Sequence, residues 1–373
     1  MKKINQLLLL TVTVFFLSGF ISTVVAQAES ETEDPKSEVW GYIFGDMFWK
    51  ADGDEALWGG GEFMNTEKNA IGGNLRRVYV GYDHNISSNL TTRVLFETNS
   101  GTLNPSGKFS PVIKLGYLKW KIPGDFLNNQ VLSVGLIPTP IFTFPEKSFG
   151  YRSVEKEALD ARGIGRSADQ GISYSATFDE NSNYGFTALV GNGTGNRPTD
   201  TKRLEYTGSV FAKFLDSRLT VETMYNYKSL GDDRENSILR GFLGYEADYF
   251  RLGGEVARVL NSVNTPQGYQ DVEPLLYSVF AAFSIPQIGN QLEFFGRYDW
   301  YNPDTDYNTG KVYPNDPQFF SNQALAIFGL NFQPIERVQI MPNLYFNIYD
   351  EKRDDFNDRK TDIVLRTTIY YSF

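Results

Sequence analysis

The stretch Asp362-Ile363-Val364-Leu365-Arg366-Thr367-Thr368-Ile369-Tyr370-Tyr371-Ser372-Phe373 decides the fold class. Along an extended strand, successive side chains point to opposite faces. Leu365, Thr367, Ile369, Tyr371 and Phe373 then share one face, and Asp362, Val364, Arg366, Thr368, Tyr370 and Ser372 share the other. An apolar face that finishes in aromatics suits a strand with lipid on one side and water on the other. A buried core strand would rarely stop at its last residue without a polar tail.

The same pattern resembles the C-terminal signal of bacterial outer-membrane β-barrels. The resemblance implies that Ile369, Tyr371 and Phe373 act as an assembly signal for the barrel-assembly machinery. The N-terminus agrees with export. Met1-Lys2-Lys3, the largely apolar run Leu7 to Val25 and the small-residue site Ala26-Gln27-Ala28 predict a signal peptide over residues 1–28. No later run approaches the roughly 20 apolar residues that a spanning helix needs. Residues 29–37 are acidic and contain Pro35, and read as a short disordered leader. Residues 38–373 are expected to form one outer-membrane β-barrel.

Composition narrows the class further. Aromatics make up 15% of residues, yet the chain is polar on average. Alternating lipid-facing and water-facing positions produce that combination. There is no cysteine, so a closed ladder of backbone hydrogen bonds must do what disulfides do in other exported proteins. The formal charge is −10, with no basic run, which argues against nucleic acid. A single histidine, His84, and the missing cysteines leave no expected transition-metal site and no cofactor. A hydrolase would need a histidine base facing a nucleophile, and His84 falls in a predicted short turn, so no enzyme activity is expected.

Runs of roughly ten residues with period-two alternation recur along the whole chain. About sixteen are found, near 38–50, 72–84, 89–99, 111–121, 130–137, 169–178, 183–192, 203–214, 218–228, 236–247, 249–260, 273–284, 290–300, 324–332, 337–349 and 361–373. The connections alternate short and long. Long ones are expected at 51–71, 100–110, 138–168, 193–202, 229–235, 261–272, 301–323 and 350–360. Short periplasmic turns and long outer loops are the signature of a transmembrane antiparallel β-barrel. Trp40, Trp49, Tyr82, Trp120, Trp300, Tyr371 and Phe373 sit near strand ends, where interfacial aromatic girdles belong.

Parity assigns the lumen wall. Arg77, Arg93, Glu97, Arg240, Glu293, Arg297, Asp299 and Arg366 fall inward with Asp83, Glu222, Glu246 and Glu255. Charges on the lipid face would cost several kcal/mol at mid-membrane. Barrels of this size leave an aqueous channel. The connection 138–168 is long, aromatic and charged, and loops of that length usually have a role. Folding it inward would bring Lys147, Arg152, Glu155, Lys156, Arg162 and Arg166 to a pore constriction. For each charged residue the alternative is a structural ion pair. Asp304-Thr305-Asp306-Tyr307-Asn308-Thr309-Gly310 departs from a calcium loop in its glycine position and reads as a solvated loop.

The segment Pro138-Thr139-Pro140, Glu146-Lys147, Gly150-Tyr151-Arg152-Ser153-Val154-Glu155-Lys156 and Asp160-Ala161-Arg162-Gly163-Ile164-Gly165 resembles the phosphate-selective porin O/P family, in its Bacteroidetes type. So do Leu75-Arg76-Arg77-Val78-Tyr79-Val80-Gly81-Tyr82 and Phe294 with Arg297-Tyr298-Asp299. The resemblance implies a sixteen-stranded barrel, a homotrimer, and a third outer loop folded into the lumen. It does not carry phosphate selectivity over. Rings of Arg and Lys favour anions, and here the inward arginines share the lumen with Glu97, Glu222, Glu246, Glu255, Glu293 and Asp299. The expected function is a weakly selective outer-membrane porin for small polar solutes. A phosphate-, anion- or sugar-selective channel and a structural or adhesive barrel remain as alternatives. Outer-membrane lipid and lipopolysaccharide are the expected surroundings.

Overall fold

The computed structural model describes residues 36–55, 62–124, 126–199, 202–232, 234–285, 292–314, 317–352 and 359–373. The expected signal peptide, and the leader as far as residue 35, lie outside them. The strands are β1 (Ser37–Asp52), β2 (Ile71–Asn85), β3 (Leu90–Asn99), β4 (Val112–Lys121), β5 (Asn128–Pro138) and β6 (Ala168–Thr177). They continue as β7 (Tyr184–Gly191), β8 (Glu205–Phe214), β9 (Leu219–Gly231), β10 (Arg234–Glu246), β11 (Phe250–Thr265) and β12 (Gly268–Val272). The last are β13 (Leu275–Ser284), β14 (Leu292–Asn302), β15 (Ser321–Ile335), β16 (Val338–Glu351) and β17 (Asp362–Ser372).

Apart from β12, each strand pairs antiparallel with the next strand of the wall, and β1 pairs with both β2 and β17, which closes the wall. Short β12 pairs with β11 alone, so the barrel has sixteen wall-forming strands. Closure leaves no open edge in the sixteen-stranded wall, which is what a lipid environment requires of β-structure. The seam is covered by the terminal aromatic. Phe373 and Gly41 exchange backbone hydrogen bonds of 2.9 and 3.1 Å, and the Phe373 ring lies where a Cβ on Gly41 would stand.

The face assignment read from β17 holds. Leu365, Ile369, Tyr371 and Phe373 are exposed on the outer surface, whereas Asp362, Val364, Arg366 and Thr368 are buried. The outward positions of β14 and β16 agree, with Phe294, Tyr298, Leu344 and Ile348 exposed. Trp40 departs from its expected place in the lipid girdle. It has the inward parity of Tyr42 and Phe44, and the Arg93 guanidinium stacks 5.0 Å from its ring.

Two expected long connections are strand instead. β9 and β10 run through the interval 229–235 with only two residues between them. β11 and β12 form a hairpin over 261–272. Asn261, Ser262, Asn264, Thr265, Gln270 and Asp271 lack the hydrophobic alternation on which strand reading relies, so the hairpin is invisible to it. Asp304 is also not solvated. It is fully buried and accepts from the Glu273 N–H at 2.9 Å, the Tyr313 hydroxyl at 2.7 Å and Lys311 at 3.2 Å. These bonds outweigh its burial and hold its carboxyl below the usual carboxylate range.

Candidate functional site

The connection between β5 and β6 carries two short helices that sequence periodicity did not reveal. α1 (Thr143–Phe149) has Pro145 in its first turn, where a missing N–H is tolerated, and ends at Gly150 with φ 76°. α2 (Ala158–Ala161) is capped by Glu157, whose carboxylate accepts from the Leu159 and Asp160 N–H groups at 2.9 and 3.1 Å. Between the helices the chain is irregular, and its carbonyls need donors.

Wall arginines supply them. Arg76 donates to the Ser153 and Val154 carbonyls at 2.6 and 2.7 Å, Arg366 to the Val154 carbonyl at 2.8 Å, and Arg297 to the Lys156 carbonyl. Arg76 bonds Glu62 at 2.6 Å and lies 3.3 Å from Asp46; Arg366 lies 3.5 Å from Glu62 and donates to Asn343 at 2.7 Å. Arg297 is bidentate on Asp299. A planar guanidinium with five N–H donors can serve a carboxylate and a loop carbonyl together.

Apolar contacts complete the attachment. Phe149, Tyr151 and Val154 pack among Phe242, Phe280, Phe295, Leu325, Ile327, Met341 and Tyr345. Ile141, Phe142, Ala158 and Leu159 pack among Met224, Ile238, Ala257, Leu276 and Tyr301. The wall residues in both groups have inward parity. The β1–β2 connection joins the same assembly. Phe63, held at φ 72° and buried, packs on Phe48 and Tyr345, and Lys50 donates to the Phe63 and Thr66 carbonyls. A positive φ at a non-glycine residue persists only where its surroundings over-determine it.

Arg76 was missed in the sequence because strict alternation turns it outward when Arg77 points in. The β1–β2 register skips Arg76 between Phe44↔Arg77 and Gly45↔Leu75, so this β-bulge turns both arginines inward. A second bulge does the same for Lys114, which is skipped between Leu95↔Leu115 and Phe96↔Ile113 and lies 3.0 Å from Glu97. No residue pattern marks either bulge; only the register does.

The loop face away from the clamp is charged. Arg152 pairs with Glu146 at 2.9 Å and Asp160 at 3.3 Å. Across from it, Arg77 and Lys114, both paired with Glu97, lie within electrostatic range of Arg152 and Asp160. Lys114 and Asp160 also line a cavity of about 540 Å³ with Arg166 and the segment Gly193–Pro198. Burial pushes the Glu146 carboxyl up against the pull of Arg152. Burial beside Glu255 pushes Glu157 well above the usual carboxylate range. Glu155 goes the other way: Arg76 and Arg366 overcome its burial and hold it down.

The remaining candidates are scattered. Lys147 is exposed on α1, and Lys156 contributes its backbone carbonyl to Arg297. Arg162 donates to Gln323 at 2.6 Å, and Arg166 to Glu205 at 2.9 Å. Arg240 is buried between Glu222 at 2.6 Å and Glu255 at 3.6 Å. Glu293 accepts from Arg251 at 2.6 Å and from the Tyr151 hydroxyl. Arg93 is bidentate on Asp83 toward the short-turn end.

The fold is that of known outer-membrane barrels. The outer membrane channel DcaP of Acinetobacter baumannii is similar with a TM-score of 0.64 at 11% identity, over 92% of this chain and 99% of that one. OmpF of Salmonella typhi, solved with daunomycin, gives 0.59 at 14% identity over 91% and 98%. An anion-selective porin from Comamonas acidovorans gives 0.58 at 13% identity over 91% and 100%. At these identities the likeness is one of fold. No family model and no curated protein matches the chain.

Proposed function

We propose that this chain is an outer-membrane pore through which small hydrophilic solutes diffuse with weak ion preference. The observation that carries the reading is the balance of charge where loop and wall face each other. Arg77, Lys114 and Arg152 are three cations; Glu97, Glu146 and Asp160 are three carboxylates. A ring of one sign selects the opposite ion, and a balanced set does not. On this reading the β5–β6 loop crosses the lumen and narrows it, and Arg76, Arg297 and Arg366 hold the loop while Arg77, Lys114 and Arg152 meet the solute. Ile369, Tyr371 and Phe373 then serve assembly into lipid, and homotrimers are the expected form.

An anion-preferring channel is the second reading, favoured by Lys114, Arg166 and Arg197 around the 540 Å³ cavity. Single-channel recording in a KCl gradient separates the two. Discrete steps with a reversal potential near zero are expected. A strongly anion-directed potential would replace weak preference with the second reading, and absent conductance would leave a structural or adhesive barrel.

A further inference from the structure

Below the charged ring, toward the short-turn end, the wall changes character. Inward positions of β1 carry Trp40, Tyr42 and Phe44 in succession. The Trp40 and Tyr42 rings lie 6.2 Å apart at 14°, and those of Tyr42 and Phe44 6.5 Å apart at 8°. Tyr79 and Tyr370 flank Tyr42 at 4.6 and 5.8 Å. Phe44 and Tyr79 are buried, but Trp40, Tyr42 and Tyr370 are only partly so. Trp40 lies over Gly81, where an added Cβ would collide with the indole, so its ring rests flat against the wall.

The polar groups beside these rings have a definite chemistry. Arg93, whose guanidinium lies 5.0 Å from the Trp40 ring, and Asp83 form a partly exposed bidentate pair at the foot of the column, with Lys119 nearby. The adjoining β4 presents Tyr117 and Lys119 inward, and farther round the wall, beyond β5, the inward positions of β6 and β7 include Ser173, Ser175 and Thr187, all partly exposed. Flat aromatic faces suit the apolar faces of a ring-shaped solute, and paired charges and hydroxyls suit its rim of hydroxyl groups. The Arg93–Asp83 pair is neutral in itself, and Lys119 adds one cation beside it.

We propose that Trp40, Tyr42 and Tyr370 form a stacking track for sugars leaving the constriction. This rests on the channel reading above and gives it a substrate class.

The test is block of single-channel current by maltotriose, with the acyclic polyol sorbitol as control, on purified protein in planar bilayers. Saturable interruption by maltotriose but not by sorbitol is expected. Trp40→Leu should weaken that block about 3- to 10-fold, the scale of one lost aromatic contact, and Trp40→Phe should restore most of it. Tyr42→Leu gives the same readout if Trp40→Leu does not assemble. Normal conductance without saturable maltotriose block, or block unchanged in both leucine variants, would overturn the track and leave the channel reading standing. Block by benzoate alone would overturn it in favour of aromatic carboxylates. Absent conductance would overturn the channel reading and the track together.

Discussion

The inner faces of the two halves of this barrel share one parity but not one environment. From β10 to β17 the inward positions include Phe242, Phe280, Ala282, Phe295, Leu325, Ile327, Met341 and Val364, all buried against Phe149, Tyr151, Val154 and their neighbours. From β5 to β7 they include Ser133, Ser173, Ser175 and Thr187, and the last three remain partly exposed. Inward therefore does not mean wet. Where the β5–β6 loop packs, the wall behaves as a two-sided core; there Arg297 and Arg366 donate to loop carbonyls, and Arg240 and Arg251 pair with carboxylates. Elsewhere the wall keeps small hydroxyls and half-exposed charge.

The clamp gives the largest expected contrast. Arg366→Ala removes the donor to the Val154 carbonyl and leaves Asp46 and Glu62 short of a cation. Losing one member of a buried ion pair typically costs about 3–5 kcal/mol. The heat-modifiable gel shift should move to lower temperature, and single-channel records should show larger, noisier conductance as the loop loosens. Unchanged conductance and heat resistance would mean that the loop is held without its arginine clamp.

A smaller effect is expected on the charged face. Arg152→Glu turns the balanced set of six into an acidic one, so the reversal potential in a KCl gradient should move toward cation preference. An unmoved potential would remove Arg152 from the solute path.

The smallest effect concerns Glu157. Its carboxyl is raised, so the folded barrel holds this proton to higher pH than the unfolded chain does. Its contribution is fully present below the unfolded pKa and is lost as pH rises through the folded one. Glu157→Gln keeps an oxygen acceptor for the α2 cap but has no charge to bury beside Glu255. The variant should match the parent's thermal midpoint in acid and exceed it at neutral pH. Equal midpoints at both values would show that Glu157 is not strained by its surroundings.

Much of this architecture was legible from alternation. The terminal stretch gave the correct faces of β17, and all sixteen wall strands lie where period-two runs predicted them. The sealed half also left a trace. Leu275-Leu276-Tyr277-Ser278-Val279-Phe280-Ala281-Ala282-Phe283 and Ala324-Leu325-Ala326-Ile327-Phe328 are apolar on both parities, as strands covered on both faces are. Reading them only for a lipid face hid the packed interior. The clamp was less accessible, because Arg76 turns inward at a bulge that exists only in the pairing of β1 with β2. The mostly polar hairpin of β11 and β12 lacks hydrophobic alternation as well, which is why it read as loop.

The absence of cysteine makes one measurement direct. Single cysteines at Ser173 and at Ala282 place a thiol at inward positions of the two contrasted regions. A charged, water-soluble thiol reagent added during single-channel recording should modify Ser173→Cys rapidly, with a stepwise loss of current, and leave Ala282→Cys untouched. Equal reactivity at both positions, or modification at Ala282 alone, would contradict a lumen sealed on one side and conducting on the other.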